Sequence, residues 1–118
     1  MMVNKSKAVG TEWETRLVEY LRPRFGNCER LTLNGSLDEG DLYFYWNDLT
    51  FVIEAKAERA INLASYMKEA AAEAGNFAKK RPMRGKPFGV AIVKRRNHGV
   101  DKAYVVMELD TFVRMVKE

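Results

Sequence analysis

The chain has 118 residues, 47% of them hydrophobic and 31% charged, a composition that suits one globular domain with a modest core. No apolar run approaches the roughly 20 residues of a membrane span, and the N-terminal MMVNKSKAVG has lysines without an apolar stretch behind them, so neither a span nor a secretory leader is expected. The net charge of +4 is unevenly spread: nine of the 20 basic residues lie between Lys79 and Lys102 against one acid, Asp101, while the rest of the chain carries eleven basic and fifteen acidic residues. Such a block suits either a polyanionic partner or a solvated loop. The single cysteine, Cys28, has no partner for an internal disulfide, so a reducing, cytoplasmic setting is expected.

The first helix is expected from Thr11 to Leu21. Thr11 and Glu14 have the spacing of a capping box, and Pro23 and Gly26 follow as stops. A short strand is expected over Arg30 to Leu33, closed by Asn34-Gly35. Asp41 to Trp46 and Leu49 to Lys56 read as two arms of a hairpin. Asn47 and Asp48, both tolerant of left-handed backbone, form its turn. Asn62 suits the N-cap of a second helix ending near Gly75. A basic loop then leads to a fourth strand, Phe88 to Val93. A second basic loop, a fifth strand over Ala103 to Met107 and a closing helix over Leu109 to Lys117 complete the chain. The order α-β-β-β-α-β-β-α predicts a single α/β domain, residues 1–118, with a mixed sheet of about five strands flanked by helices.

Charges stand where this sheet should bury apolar side chains. Glu54 and Lys56, two apart in one strand, share a face. A hairpin centred on Asn47 and Asp48 sets Asp41 opposite Glu54, with about 5 Å between Cβ atoms. Adjacent carboxylates repel and raise each other's pKa unless a cation lies between them. Oxygen ligands so placed suit Mg²⁺, with Mn²⁺ as a substitute, and coordination positions left to water suit phosphodiester hydrolysis. Lys56 is placed to touch the attacking water or the phosphate, with a pKa that burial and the metal would depress. On the first helix, Glu14 falls at the centre of the inward stripe of Leu17, Val18 and Leu21. It either closes the capping box or points at the Asp41/Glu54 pair.

G-D-L at Gly40 to Leu42 and I-E-A-K at Ile53 to Lys56 resemble the core signature of the PD-(D/E)xK nuclease superfamily, with Gly40 where the pattern has proline. G-T-x-x-E-x-x-L-V-x-x-L at Gly10 to Leu21 is similar to the start of archaeal-type and phage Holliday junction resolvases within that superfamily. G-K-P-F-G-V-A-I-V-K at Gly85 to Lys94 resembles their next core strand. The resemblance implies a restriction-endonuclease-like fold and a metal-dependent endonuclease that hydrolyses four-way DNA junctions, leaving a 5′-phosphate. It implies Glu14, Asp41, Glu54 and Lys56 as catalytic residues, with Asp41, Glu54 and Glu14 on the metal. Ser36 matches a serine that the resolvases tend to have before the aspartate. Where the family often has glutamine on the following helix, this chain has Glu69, which either adds negative charge there or, the reading favoured, lies with Glu73 on a solvated face; Asp38 and Glu39 read as turn residues, with a ligand role as the alternative.

Lys79, Lys80, Arg81, Arg84 and Lys86 before the fourth strand, and Lys94, Arg95, Arg96 and Lys102 after it, are expected to hold DNA phosphates on either side of the metal site. Recognition would be by nucleic-acid shape. His98 is expected to be exposed or on a phosphate. Two symmetric cuts require a two-fold homodimer, with Tyr43, Tyr45 and Trp46 as candidates for its face. The rival readings are a superfamily nuclease acting on flaps, ends or foreign DNA, a DNA-binding module without catalysis, and an RNA-binding protein.

Overall fold

The computed structural model describes residues 5–31, 40–83 and 85–118, so the readings made for Leu33, Asn34, Gly35, Ser36, Asp38, Glu39 and Arg84 lie outside the described residues. Helix α1 (Lys5–Phe25) begins well before Thr11. Thr11 is interior, and its carbonyl accepts a hydrogen bond from Thr15 Oγ1 (3.1 Å), the back-bond of a hydroxyl inside a helix. The expected capping box is therefore not formed, which releases Glu14 from that role. Pro23 is carried within the last turn at the loss of one backbone donor. The stop is Gly26, whose φ of 80° needs no Cβ and whose N–H donates to the Arg22 carbonyl (2.8 Å).

Five strands follow: β1 (Glu29–Arg30), β2 (Leu42–Trp46), β3 (Leu49–Lys56), β4 (Phe88–Val93) and β5 (Tyr104–Val106). Helix α2 (Leu63–Lys80) crosses between β3 and β4, and α3 (Leu109–Lys117) closes the chain. The strands form one open sheet in the order β1-β2-β3-β4-β5. Neighbours are antiparallel except β3 and β4, which run parallel, as a helical crossover requires. Among the described residues the fold is thus mixed α/β with a five-stranded mixed sheet and three α-helices. Asn47 and Asp48, at φ 50° and 64°, make the two-residue turn between β2 and β3. Among the described residues no helix is long and apolar enough to cross a membrane.

Each face of the sheet is covered by one helix. Trp13, Leu17 and Val18 of α1 pack on Leu42, Phe44, Ile53, Val90 and Ile92. Trp13 Nε1 donates to the Ile92 carbonyl (3.2 Å), so the buried indole keeps its partner. Phe25, Phe44, Phe51 and Phe88 stack across this face at centroid distances of 4.4, 4.8 and 5.3 Å. On the other face, Tyr66, Ala74 and Phe77 of α2 cover Val52, Ala91 and Val93. By alternation along β3, Glu54 and Lys56 point towards α2.

Helix α2 runs past Gly75 to Lys80, longer than expected. A helical glycine costs about 1 kcal/mol, but Phe77, fully buried just beyond it, returns roughly 1.5–3 kcal/mol by its burial. Lys79 and Lys80 are therefore helical and sit at the C-terminal end, where cations complement the helix dipole. The helix reaches the sheet because of Gly89: a Cβ there would lie 2.6 Å from the Ala70 carbonyl oxygen. Gly89→Ala should thus force α2 off β4 and lower unfolding stability by roughly 1–3 kcal/mol in urea melts; an unchanged midpoint would show that the helix yields freely.

Candidate metal centre

The alternation that buries Val52 under α2 carries Glu54 and Lys56 to the same face, at the end of β3. From the opposite side α2 contributes Glu69 and Glu73, one turn apart on one helix face. The helix is set by Asn62, whose Oδ1 accepts from the Ser65 N–H (3.1 Å). Glu54 is 7% exposed and Glu73 4%. Among the described residues, Glu54, Glu69 and Glu73 form a group in which one carboxylate oxygen from each lies within 4.8 Å of the others. Such an all-oxygen donor set suits a hard cation of the Mg²⁺ or Mn²⁺ class.

Lys56 is the positive charge in this group. Its Nζ lies 2.6 Å from Glu69 Oε2, 3.2 Å from Glu54 Oε1 and 3.6 Å from Glu58 Oε1, and 5.1 Å from the centre of the Tyr66 ring. Burial alone would lower the Lys56 pKa, but the hydrogen bond with Glu69 and the charge of Glu54 outweigh it and raise it above the ordinary lysine value. One ammonium does not complete the site, because Glu54 Oε2 is buried without a hydrogen-bond partner among the described residues.

Asp41 is placed differently from a regular cross-strand partner. The ladder between β2 and β3 ends at Leu42 and Ile53. Asp41 bends away: its N–H donates to the Ile53 carbonyl (3.0 Å), and its Oδ2 accepts from the Ala55 N–H (2.8 Å). Main chain and carboxylate thus bracket Glu54. Asp41 stands beside the group of three without being a member of it. Gly40, just before it, has a φ of 99°, which proline cannot adopt. A Cβ at Gly40 would lie 2.9 Å from Val52 Cγ1 and 3.6 Å from Glu73 Oε2.

Glu14, on α1, is half-buried and likewise outside the group of three. Burial raises its pKa above the ordinary value, the Arg30 guanidinium draws it partly back, and the Glu54 carboxylate pushes it up again. Glu14 and Glu54 therefore feel each other's charge. Arg30 itself is tied to α1, donating to the Thr11 carbonyl (3.0 Å).

The reading of Glu69 and Glu73 as a solvated face is corrected: Glu73 is buried and Glu69 is held by Lys56. Tyr66, Ala70, Glu73 and Phe77 have the spacing of one buried stripe. That signal was blurred by the alanines around it, which are compatible with either face.

The basic stretches lie at opposite ends of β4. Before it, Lys79 and Lys80 end α2, Arg81 rests on the Phe77 ring (4.0 Å to the centroid) and Lys86 is exposed. After it, the Lys94 N–H donates to the Lys56 carbonyl (2.9 Å), which fixes this stretch beside the acidic group. Lys94, Arg95 and Arg96 line a cleft of about 550 Å³ with Ala57, Glu58 and Tyr104, and Arg95 covers the Tyr104 ring at 4.8 Å. Lys102 and His98 are exposed, with His98 Nδ1 2.9 Å from the Arg96 carbonyl. Tyr45 and Trp46 are exposed, whereas Tyr43 packs on Phe77.

No protein-family model matches the chain, and no curated protein matches it significantly.

A carboxyl group whose folded pKa is raised stabilises the fold fully below its ordinary value, near 4.5, and loses that contribution as pH rises through the raised value. Ionised Glu14 is therefore a liability at pH 7. Glu14→Gln should raise the thermal midpoint at pH 7 in EDTA and change it little at pH 4; a lower midpoint at pH 7 would contradict this.

Proposed function

We propose that the chain is a divalent-metal-dependent, structure-specific DNA endonuclease that cuts four-way junctions, a Holliday junction resolvase of the PD-(D/E)xK kind. The observation that carries the reading is Glu54, a buried carboxylate with one oxygen unpartnered among the described residues, two residues from a half-buried lysine at the end of a core strand. The cleft rimmed by Lys94, Arg95 and Arg96 is also lined by Ala57 and Glu58, which follow Lys56 in the chain. The mixed sheet, with a hairpin leading through a helical crossover into a parallel strand, supports a restriction-endonuclease-like arrangement.

In this reading Asp41, Glu54 and Glu14 hold Mg²⁺, or Mn²⁺ in its place. When bound, the ion acidifies a water and offsets charge on the phosphate oxygens. Lys56, as an ammonium, donates hydrogen bonds to a phosphate oxygen or to the attacking water. The water oxygen bonds to phosphorus, the bond to the 3′-oxygen breaks, and a proton passes to that oxygen. The products are a 3′-hydroxyl and a 5′-phosphate. Lys79, Lys80, Arg81, Arg84 and Lys86, which precede β4 in the chain, and Lys94, Arg95, Arg96 and Lys102, which follow it, hold backbone phosphates, and Ser36 is a further DNA contact. The two-fold symmetry of a junction calls for a homodimer, and the reducing setting is the cytoplasm.

The test offers a synthetic four-way junction, a flap and a linear duplex to the protein with Mg²⁺. Junction cleavage should exceed duplex cleavage at least tenfold; equal cutting of all three would favour another superfamily nuclease, and no cutting would end the nuclease reading. Asp41→Asn and Glu54→Ala should each reduce cleavage by about 10²-fold or more, in line with the loss of a group that stabilises developing charge, while junction binding in Ca²⁺ persists. That binding should weaken with salt, log K falling by roughly 0.9 per phosphate contact per log unit; a flat response would remove the role given to the basic stretches.

A further inference from the structure

We infer that Glu69 and Glu73 of α2 are metal ligands, completing with Glu54 a divalent-cation site between β3 and α2 whose electrostatic place Lys56 fills when no ion is bound. The site shares Glu54 with the proposed nuclease centre. It rests on that reading only for what the ion is used for, not for its binding.

Four observations converge. First, each of the three residues offers an oxygen within 4.8 Å of the other two. Oxygens on one octahedral Mg²⁺ or Mn²⁺ ion lie about 3.0 Å apart as neighbours and about 4.2 Å apart when opposite, so side-chain closure on the order of 1–2 Å brings the three into range. Second, the Glu54 side chain is 9% exposed and its Oε2 has no hydrogen-bond partner among the described residues. A buried carboxylate oxygen is costly unless a donor or cation faces it. Third, Lys56 already bridges β3 and α2, through Glu54 Oε1 at 3.2 Å and Glu69 Oε2 at 2.6 Å. The same ammonium thus holds one carboxylate from the strand and one from the helix, the two elements a divalent ion would join. Fourth, Gly40 leaves open the space beside Glu73 that a side chain would fill, since its Cβ would lie 3.6 Å from Glu73 Oε2.

The arrival of an ion sets Glu69 a choice between two cations. As a metal ligand it surrenders its short contact with Lys56, and the ammonium is released towards the adjoining cleft. In the nuclease reading that is where the phosphate lies, so ion binding and the positioning of Lys56 become one event.

The test is calorimetric titration of the protein with Mn²⁺ alone, without DNA. Glu69→Gln and Glu73→Gln should each weaken Mn²⁺ binding at least tenfold, and Lys56→Met, which removes the competing ammonium, should tighten it several-fold. Wild-type affinity in both glutamine variants would overturn the ligand assignment, and unchanged or weaker binding by Lys56→Met would overturn the role given to Lys56. Thermal midpoints in EDTA report whether each variant folds; should Glu73→Gln fail to fold, the half-exposed Glu69→Gln decides the matter. Binding that depends on Glu69 and Glu73 in a protein that cuts no DNA would keep this site and end the nuclease reading. DNA cleavage with wild-type Mn²⁺ affinity in both variants would do the reverse.

Discussion

Carboxylates held between β3 and α2 are the constraint around which the molecule is arranged. Glu54 and Glu73 are almost fully buried, and Lys56 stands between the strand and the helix, paired with Glu54 and Glu69. Removing like charges from water is costly, and one ammonium offsets only part of that cost. An ion pair of this kind is weak evidence for stability, because apolar residues of the same size would pack there at less expense. Its presence on a face otherwise covered by Val52, Tyr66, Ala74 and Phe77 is better explained by chemistry than by folding.

The rest of the fold delivers those groups. The left-handed turn at Asn47 and Asp48 fixes the register of β2 against β3, and that register ends where Asp41 bends to bracket Glu54. Gly89 lets the α2 backbone come close to β4, which brings Glu69 and Glu73 within reach of the strand. The parallel pairing of β3 with β4 then places Lys94 directly beyond Lys56, so the basic rim of the cleft adjoins the acidic group. Acidic interior and basic border are both consequences of one crossover.

Much of this was legible in the sequence, for identifiable reasons. β3, β4 and α3 have the expected bounds because apolar or amphipathic runs end in clear breaks. Glu54 and Lys56 stood out because two charges close a strand that begins apolar. Other features depend on contacts that periodicity does not report. Thr11 looked like a cap, but the helix continues through it to earlier residues. Gly75 looked like a stop, but the burial of Phe77 outweighs it. Counting along a regular hairpin set Asp41 opposite Glu54, and the ladder keeps that register as far as Leu42 and Ile53; the bond of the Asp41 carboxylate to the Ala55 amide is a contact that counting does not report. Glu73 was hidden among alanines, which leave the buried face of α2 without contrast.

The most direct measurement is anomalous diffraction from crystals grown with saturating Mn²⁺. Expected is a single strong peak bonded to Glu54 Oε2 and to at least one carboxylate of α2, with the Lys56 ammonium displaced from Glu69. An electron-density map with no such peak, and with Lys56 still bridging Glu54 and Glu69, would contradict the claim that these buried acids are kept for a cation.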